Sequence, residues 1–193
     1  MEPGLGKTDR VDGVTELTER AAAGDRWALG ELVRRTQADV WRLCAHLVDR
    51  QAADDLTQES FLRLVKALPS FRSEASGRTF ILSIARRACM DELRRRTRRR
   101  VVMDRFVEQF SRGVVDADPM GSIAIDELID ALPVDRREAF VCTQLLGLGY
   151  AETAEICGCP VGTIRSRVAR AREDLARAFG EFDGDVIEGG SRG

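Results

Sequence analysis

The sequence predicts an all-α protein built from two small helical domains. Apolar residues recur at helical spacing through most of the 193 residues, strand-like alternation is absent and β-branched runs are short. The periodicity breaks over residues 98–122, where RGVVDADPMG is the least regular stretch. Charge changes sign nearby: Arg86 to Arg100 holds eight arginines against Asp91 and Glu92, while Val101 to Asp130 holds seven acids against Arg105 and Arg112. The expected organisation is a disordered N-terminus (1–14), a first domain (15–97), an extended acidic linker (98–122), a second domain (123–179) and an acidic flexible tail (180–193).

In the first domain a short helix fits 15–23 and closes at Gly24. Asp25 is placed to cap a longer helix to about Asp49, with Leu29, Leu32, Val33, Val40, Leu43, Cys44 and Leu47 at helical spacing. A third helix fits 52–68 and stops before Pro69. On it Phe61, Leu64, Val65 and Leu68 follow the i, i+3, i+4, i+7 rule and are expected to face the core. Leu56 and Leu62 fall among Asp55, Glu59 and Arg63, off that stripe. Outward leucines among carboxylates fit a protein-binding surface. Scattered surface leucines are also ordinary, so both readings stand. The loop SFRSEASG leads to a fourth helix over 79–95, whose buried side is Ile81, Ile84, Ala85, Ala88 and Cys89.

In the second domain helices fit 123–131 and 135–146, the latter entered through Pro133, then 151–157 and 161–178. Gly158-Cys159-Pro160 makes the turn between the last two, the geometry of a helix-turn-helix. Val161, Ile164, Val168, Ala171 and Leu175 form the buried stripe of the last helix. Gly162, Arg165, Ser166, Ala169, Arg170 and Glu173 lie opposite. Small residues beside arginines suit close approach to duplex DNA, with Arg165 or Arg167 reaching guanine edges and Thr163 and Ser166 meeting phosphates or bases. The plainer alternative is a solvated arginine face; the turn and the small residues favour DNA.

Arginines 72, 78, 86, 87, 94, 95 and 96 surround Phe71 and Phe80, a combination suited to single-stranded nucleic acid. The net charge of −2 excludes a general nucleic-acid coat protein. Five cysteines without a preceding signal-like segment point to a reducing compartment, hence a cytoplasmic protein with free thiols. No apolar run reaches the roughly 18–20 residues of a membrane span. A single histidine, His46, and a C-x-C pair at Cys157 and Cys159 leave no metal site and no catalytic set, though a redox role for that pair is conceivable. Neither an enzyme nor any cofactor is expected.

DDLTQESFLR, LPSFRSEASGRTFILSIARRACMDELRR and ALPVDRREAFVCTQLLGLGYAETAEICGCPVGTIRSRVARAREDL together resemble the bacterial extracytoplasmic-function (ECF, group 4) sigma factors, and among them the actinobacterial sigma-C-like branch. The resemblance covers roughly residues 27–178. It implies a sigma-2-like helical bundle followed by a sigma-4-like helix-turn-helix domain, acting as a promoter-specificity subunit of RNA polymerase; the alternative, a free-standing helix-turn-helix transcription regulator, leaves the DDLTQESFLR helix and the arginine–aromatic loop unexplained. Asp54, Asp55, Leu56, Gln58, Glu59 and Leu62 match the segment that grips the clamp helices of the largest polymerase subunit. Phe71, Arg72, Ser73, Glu74, Ser76, Arg78, Thr79, Phe80, Arg86, Arg87, Asp91, Arg94 and Arg95 match the part that opens the −10 element and captures an unpaired base. Thr163, Arg165, Ser166, Arg167, Ala169, Arg170 and Arg172 match the helix that reads the −35 element. The linker would run toward the RNA exit channel and the second domain would meet the flap. An anti-sigma factor is a further partner that the resemblance allows.

Overall fold

The computed structural model describes the backbone of residues 7–107 and 125–188, and side chains within 13–99 and 125–179. Among these residues every regular element is helical. The first unit comprises α1 (Lys7–Ala22), α2 (Arg26–Leu47), α3 (Arg50–Ala67), a 3₁₀ turn (Leu68–Ser70) and α4 (Gly77–Val107). The second comprises α5 (Ile125–Asp130), α6 (Val134–Phe140), a π-helical turn (Val141–Leu145), α7 (Tyr150–Cys157) and α8 (Val161–Glu188).

Local chemistry fixes the helix starts. Asp25 caps α2, accepting from the Ala28 amide at 3.0 Å. Asp49 caps α3 in the same way, from Ala52 at 2.7 Å. Each cap satisfies an amide that the first turn leaves unpaired, worth about 1 kcal/mol. Gly158 ends α7 in the left-handed conformation at φ 65°, a region that favours glycine. Its neighbour Cys159 donates its amide to the Ala154 carbonyl at 3.1 Å, which closes the tight turn into α8.

Four boundaries differ from the sequence reading. Helix α1 starts at Lys7, inside the segment expected to be disordered, and its Val14 is buried against the rest of the bundle. Helix α4 continues to Val107, so the first part of the expected linker is helical; residues 108–122 of that linker lie outside the described residues. Helix α8 continues to Glu188, through most of the expected tail, whose last residues also lie outside. The helix expected over 135–146 opens into a wider turn after Phe140, where Leu146 bonds back five residues to Val141. There the Thr143 hydroxyl competes for the Ala139 carbonyl at 2.8 Å.

The buried face of α3 is rotated from the expected stripe. Ala53, Leu56, Ser60 and Leu64 form its buried line, while Val65 is 48% exposed. Leu56, expected outside, is 5% exposed. The cause is that α3 packs against both α2 and α4. Two of its buried positions, Ala53 and Ser60, are small or polar residues that an apolar count overlooks, and Ser60 donates to the Leu56 carbonyl at 2.6 Å.

The two units are docked. α4 packs on α7, and α2 touches α5 and α6. One buried cluster runs from Val14 through Leu32, Leu43 and Ile81 to Val141 and Ile156. A second, formed by Ala139, Ala154, Cys157, Ile164 and Val168, holds the helix-turn-helix together.

Candidate nucleic-acid and protein interfaces

Helix α8 presents the face the sequence predicts. Ile164, Val168 and Ala171 are fully buried, and Gly162, Arg165, Ser166, Ala169, Arg170 and Glu173 are all exposed. Its four candidate arginines divide into two kinds. Arg167 pairs with Asp135 at 3.3 Å and donates to Cys159 Sγ at 3.7 Å. Arg172 donates to Gln144 Oε1 at 2.9 Å. Arg165 and Arg170 make no ion pair or side-chain hydrogen bond among the described residues and point to solvent. Thr163 is half-buried in the first turn, and its carbonyl accepts from the Ser166 hydroxyl at 2.9 Å. Of the C-x-C pair, Cys159 Sγ accepts from Arg167 at 3.7 Å and Cys157 is buried in the helix-turn-helix core.

The loop before α4 is held against α1. Gly77 donates its amide to Thr15 Oγ1 at 3.0 Å, and a Cβ there would lie 2.4 Å from Thr18 Oγ1 and 2.8 Å from the Val14 carbonyl oxygen. Only glycine permits that approach. Ser73 adopts φ 57°, unusual for a residue with a side chain, and its hydroxyl donates to Glu19 at 2.6 Å. Ser76 caps α4, accepting from the Thr79 amide at 3.1 Å. Phe71 and Phe80 lie 5.0 Å apart, both half-buried, while Arg72, Ser73 and Glu74 are exposed. Thr79 is 2% exposed, which makes it part of the cap.

Among the described residues, Arg78, Arg86, Arg94, Arg95 and Arg96 of α4 have carboxylate partners. Arg94 lies 3.5 Å from Asp91, and Arg95 lies 3.2 Å from Glu92. Asp91 itself accepts from Arg63 at 2.7 Å, and that hydrogen bond holds its carboxyl below the usual range. Arg87 is exposed and has no partner among the described residues. Arg78 binds Asp39 at 2.7 Å and reaches the Leu146 carbonyl of the second unit at 2.8 Å. Arg86 pairs with Glu138 of α6. Glu138 is 2% exposed; burial opposes the charge on Arg86, but the carboxylate outweighs it and raises the guanidinium pKa.

Three more contacts complete this seam: His46 Nδ1 to Asp130 at 3.1 Å, Arg137 to the His46 carbonyl at 3.1 Å, and Arg50 to Asp126. Two of the arginines expected to meet DNA are therefore engaged by the second domain. Sequence reasoning missed this role, because the partners lie 52 and 68 positions away along the chain.

On α3 the exposed face is Asp54, Asp55, Gln58 and Leu62, with Glu59 beside it in an ion pair with Arg63 at 2.8 Å. Asp54 accepts from Trp41 Nε1 at 2.8 Å. Leu62 is 55% exposed, and its apolar neighbour on this face is Val65 rather than Leu56. The signal for Val65 was in the sequence: it lies three residues after Leu62, on the same side of the helix.

A helical bundle docked to a helix-turn-helix unit, with free arginines on the second helix of that motif, has the form of a DNA-binding protein. Sequence comparison narrows the class. Residues 32–99 match the family model for sigma-70 region 2, and residues 122–175 match that for sigma-70 region 4. The ECF RNA polymerase sigma factor SigC of Mycobacterium tuberculosis is 45% identical over 171 residues, spanning 85% of this chain and 90% of its own. SigM of the same species is 34% identical over 183 residues, spanning 94% and 91%. The sigma factor RpoE of Bartonella quintana, solved with the anti-sigma factor NepR, superposes with a TM-score of 0.64 at 25% identity, covering 78% of this chain and 96% of RpoE. CnrH, solved with the cytosolic domain of CnrY, shares the fold at a TM-score of 0.68 and 22% identity, covering 88% and 98%. The chain belongs to the ECF sigma factors of bacterial RNA polymerase, with sigma-C factors among its relatives.

Proposed function

We propose that this sigma factor binds core RNA polymerase through the exposed α3 face of Asp54, Asp55, Gln58, Glu59 and Leu62, extended by Val65. In this reading that face meets the clamp helices of the largest subunit, the acidic linker runs toward the RNA exit channel, and the second domain meets the flap. Thr163, Arg165, Ser166, Ala169 and Arg170 read duplex DNA at −35, with Arg167 and Arg172 holding the helix in place. Phe71, Arg72, Glu74, Phe80 and Arg87 take the unpaired −10 strand, joined by Arg78 and Arg86 once the two domains separate. The protein works in the cytoplasm and carries out no covalent chemistry; melting draws on contacts made to the opened strand. The likeness to an RpoE solved with NepR supports an anti-sigma factor as a further partner.

The observation that carries this reading is the α8 face, where Arg165 and Arg170 stand free beside Gly162 and Ala169. Arg165→Ala is expected to weaken promoter DNA binding by the polymerase complex by about 10–100-fold, the worth of one good base contact of about 1–3 kcal/mol. Binding to core polymerase stays unchanged. Equal loss of core binding would overturn the assignment.

A further inference from the structure

Helix α4 carries a carboxylate in the middle of an arginine face. Arg87, Asp91, Arg94 and Arg95 follow at i, i+4, i+7 and i+8, so they share one side of the helix. The three arginines are exposed and Asp91 is half-buried between them. A negative charge at that point repels the phosphates that its neighbours attract, and it competes for the same guanidinium groups. The fold brings a cation to it from another helix. Arg63 of α3 donates from Nη1 to Asp91 Oδ2 at 2.7 Å and from Nε to Glu59 Oε1 at 2.8 Å. Arg94 is left with the other oxygen, Oδ1, at 3.5 Å, and its side chain is 73% exposed.

We propose that Arg63 is a positioning residue for the unpaired −10 strand, resting on the placement of that strand along α4 proposed above: it occupies Asp91, offsets its charge and leaves Arg87 and Arg94 to the phosphates. Arg63 itself stays off the strand, because two carboxylates hold its guanidinium. Glu59 lies one turn before it on α3 and anchors the side chain, and α3 packs against α4. Asp91 is thus a fixed anchor for Arg63 rather than a reader of bases. Once Arg63 is removed, Arg94 is the remaining cation within ion-pair distance of Asp91 among the described residues. Its guanidinium then turns inward to the carboxylate and away from the strand.

The arrangement sets opposite signs for two substitutions that break the same hydrogen bond. Arg63→Gln leaves Asp91 uncompensated beside the phosphates and weakens strand binding. Asp91→Asn removes the repulsion, releases Arg94 and leaves strand binding at least as tight as before. A bond that served only to hold α3 to α4 would make both variants bind more weakly. So would a direct contact between Asp91 and a base in the case of Asp91→Asn.

The test follows the fluorescence anisotropy of short, dye-labelled single DNA strands of random sequence titrated with the full chain on saturating core polymerase, with core alone as the blank. Random strands suffice because the electrostatic part of binding does not depend on sequence. Arg63→Gln is expected to bind about 3–10-fold more weakly, the order of one uncompensated charge within a screening length of the phosphates. Arg63→Lys keeps the charge and recovers most of the loss, and Arg63→Gln/Asp91→Asn binds like Asp91→Asn alone. Weaker binding by Asp91→Asn, comparable to that of Arg63→Gln, would overturn the proposal. Arg87→Ala tests the strand placement separately. A loss with Arg87→Ala but none with Arg63→Gln would overturn the role of Arg63 alone, and no loss with either would overturn the placement and that role together. Core affinity of Arg63→Gln, measured separately, is expected to stay within about twofold of wild type, as for an exposed ion pair. A loss there that accounts for the whole effect would assign Arg63, through Glu59, to the polymerase face instead.

Discussion

Glu138→Gln separates the role of the domain seam from the stability of either domain. The carboxylate side chain is 3% exposed and that of its partner Arg86 is 23% exposed, so little water screens the pair. Glutamine keeps the volume and leaves a guanidinium charge without its counter-charge. Breaking a buried ion pair from one side costs about 3–5 kcal/mol. Arg86 keeps some contact with solvent, which places the loss near the lower end, at about 3 kcal/mol. The cost falls on the docked arrangement alone, because Glu138 is on α6 and Arg86 on α4. An equilibrium between docked and separated domains then shifts by about 100-fold. Small-angle scattering measures the outcome directly: wild type stays near the compact value of about 16 Å expected for this length, and the variant's radius of gyration rises. Circular dichroism should show unchanged helix content. An unchanged radius together with lost helicity would refute the reasoning, since Glu138 would then be holding α6 together rather than the two domains.

Two further outcomes follow from the first domain. Gly77→Ala places a Cβ 2.4 Å from Thr18 Oγ1 and 2.8 Å from a backbone oxygen, so α1 or the loop must shift; thermal denaturation should show a loss of about 1–3 kcal/mol. Acid should also weaken this domain. The Asp25, Asp49 and Asp91 carboxyls are all lowered below 3.8. Asp25 is lowered by the Ala28 amide and Arg20, Asp49 by Arg96 and the Ala52 amide against its burial, and Asp91 chiefly by Arg63. Depressed carboxyls contribute fully above the unfolded value and lose that contribution as pH falls through the folded one. Denaturant titrations should therefore show constant stability from these groups above about pH 5, declining below about pH 4.

The helices and the exposed arginine face of α8 were legible in the sequence because their rules are local. The stripe from Ile164 to Ala171 and the Asp25 cap each depend on residues within one or two turns, and both stand in the structure. The α3 face was misassigned because its buried line runs through Ala53 and Ser60, which carry no strong hydropathy signal. Leu56 and Val65 exchanged places as a result. The seam was invisible for a different reason. Glu138 looks like any surface acid until the fold brings Arg86 to it, and the arginine run on α4 resembles a free basic surface until Asp49, Asp91 and Glu92 are placed beside it. Long-range electrostatics of this kind leaves no periodic trace.

The most direct test of the account is binding of the purified chain to core RNA polymerase by fluorescence anisotropy, with a Leu62→Ala/Val65→Ala variant beside it. Tight binding by wild type is expected, weakened at least tenfold in the variant, about 1.4 kcal/mol, while the fold is kept because both side chains are exposed. Undiminished binding by the variant would contradict the α3 assignment, and a wild-type chain that ignores core polymerase yet binds duplex DNA alone would contradict the proposed polymerase docking as a whole.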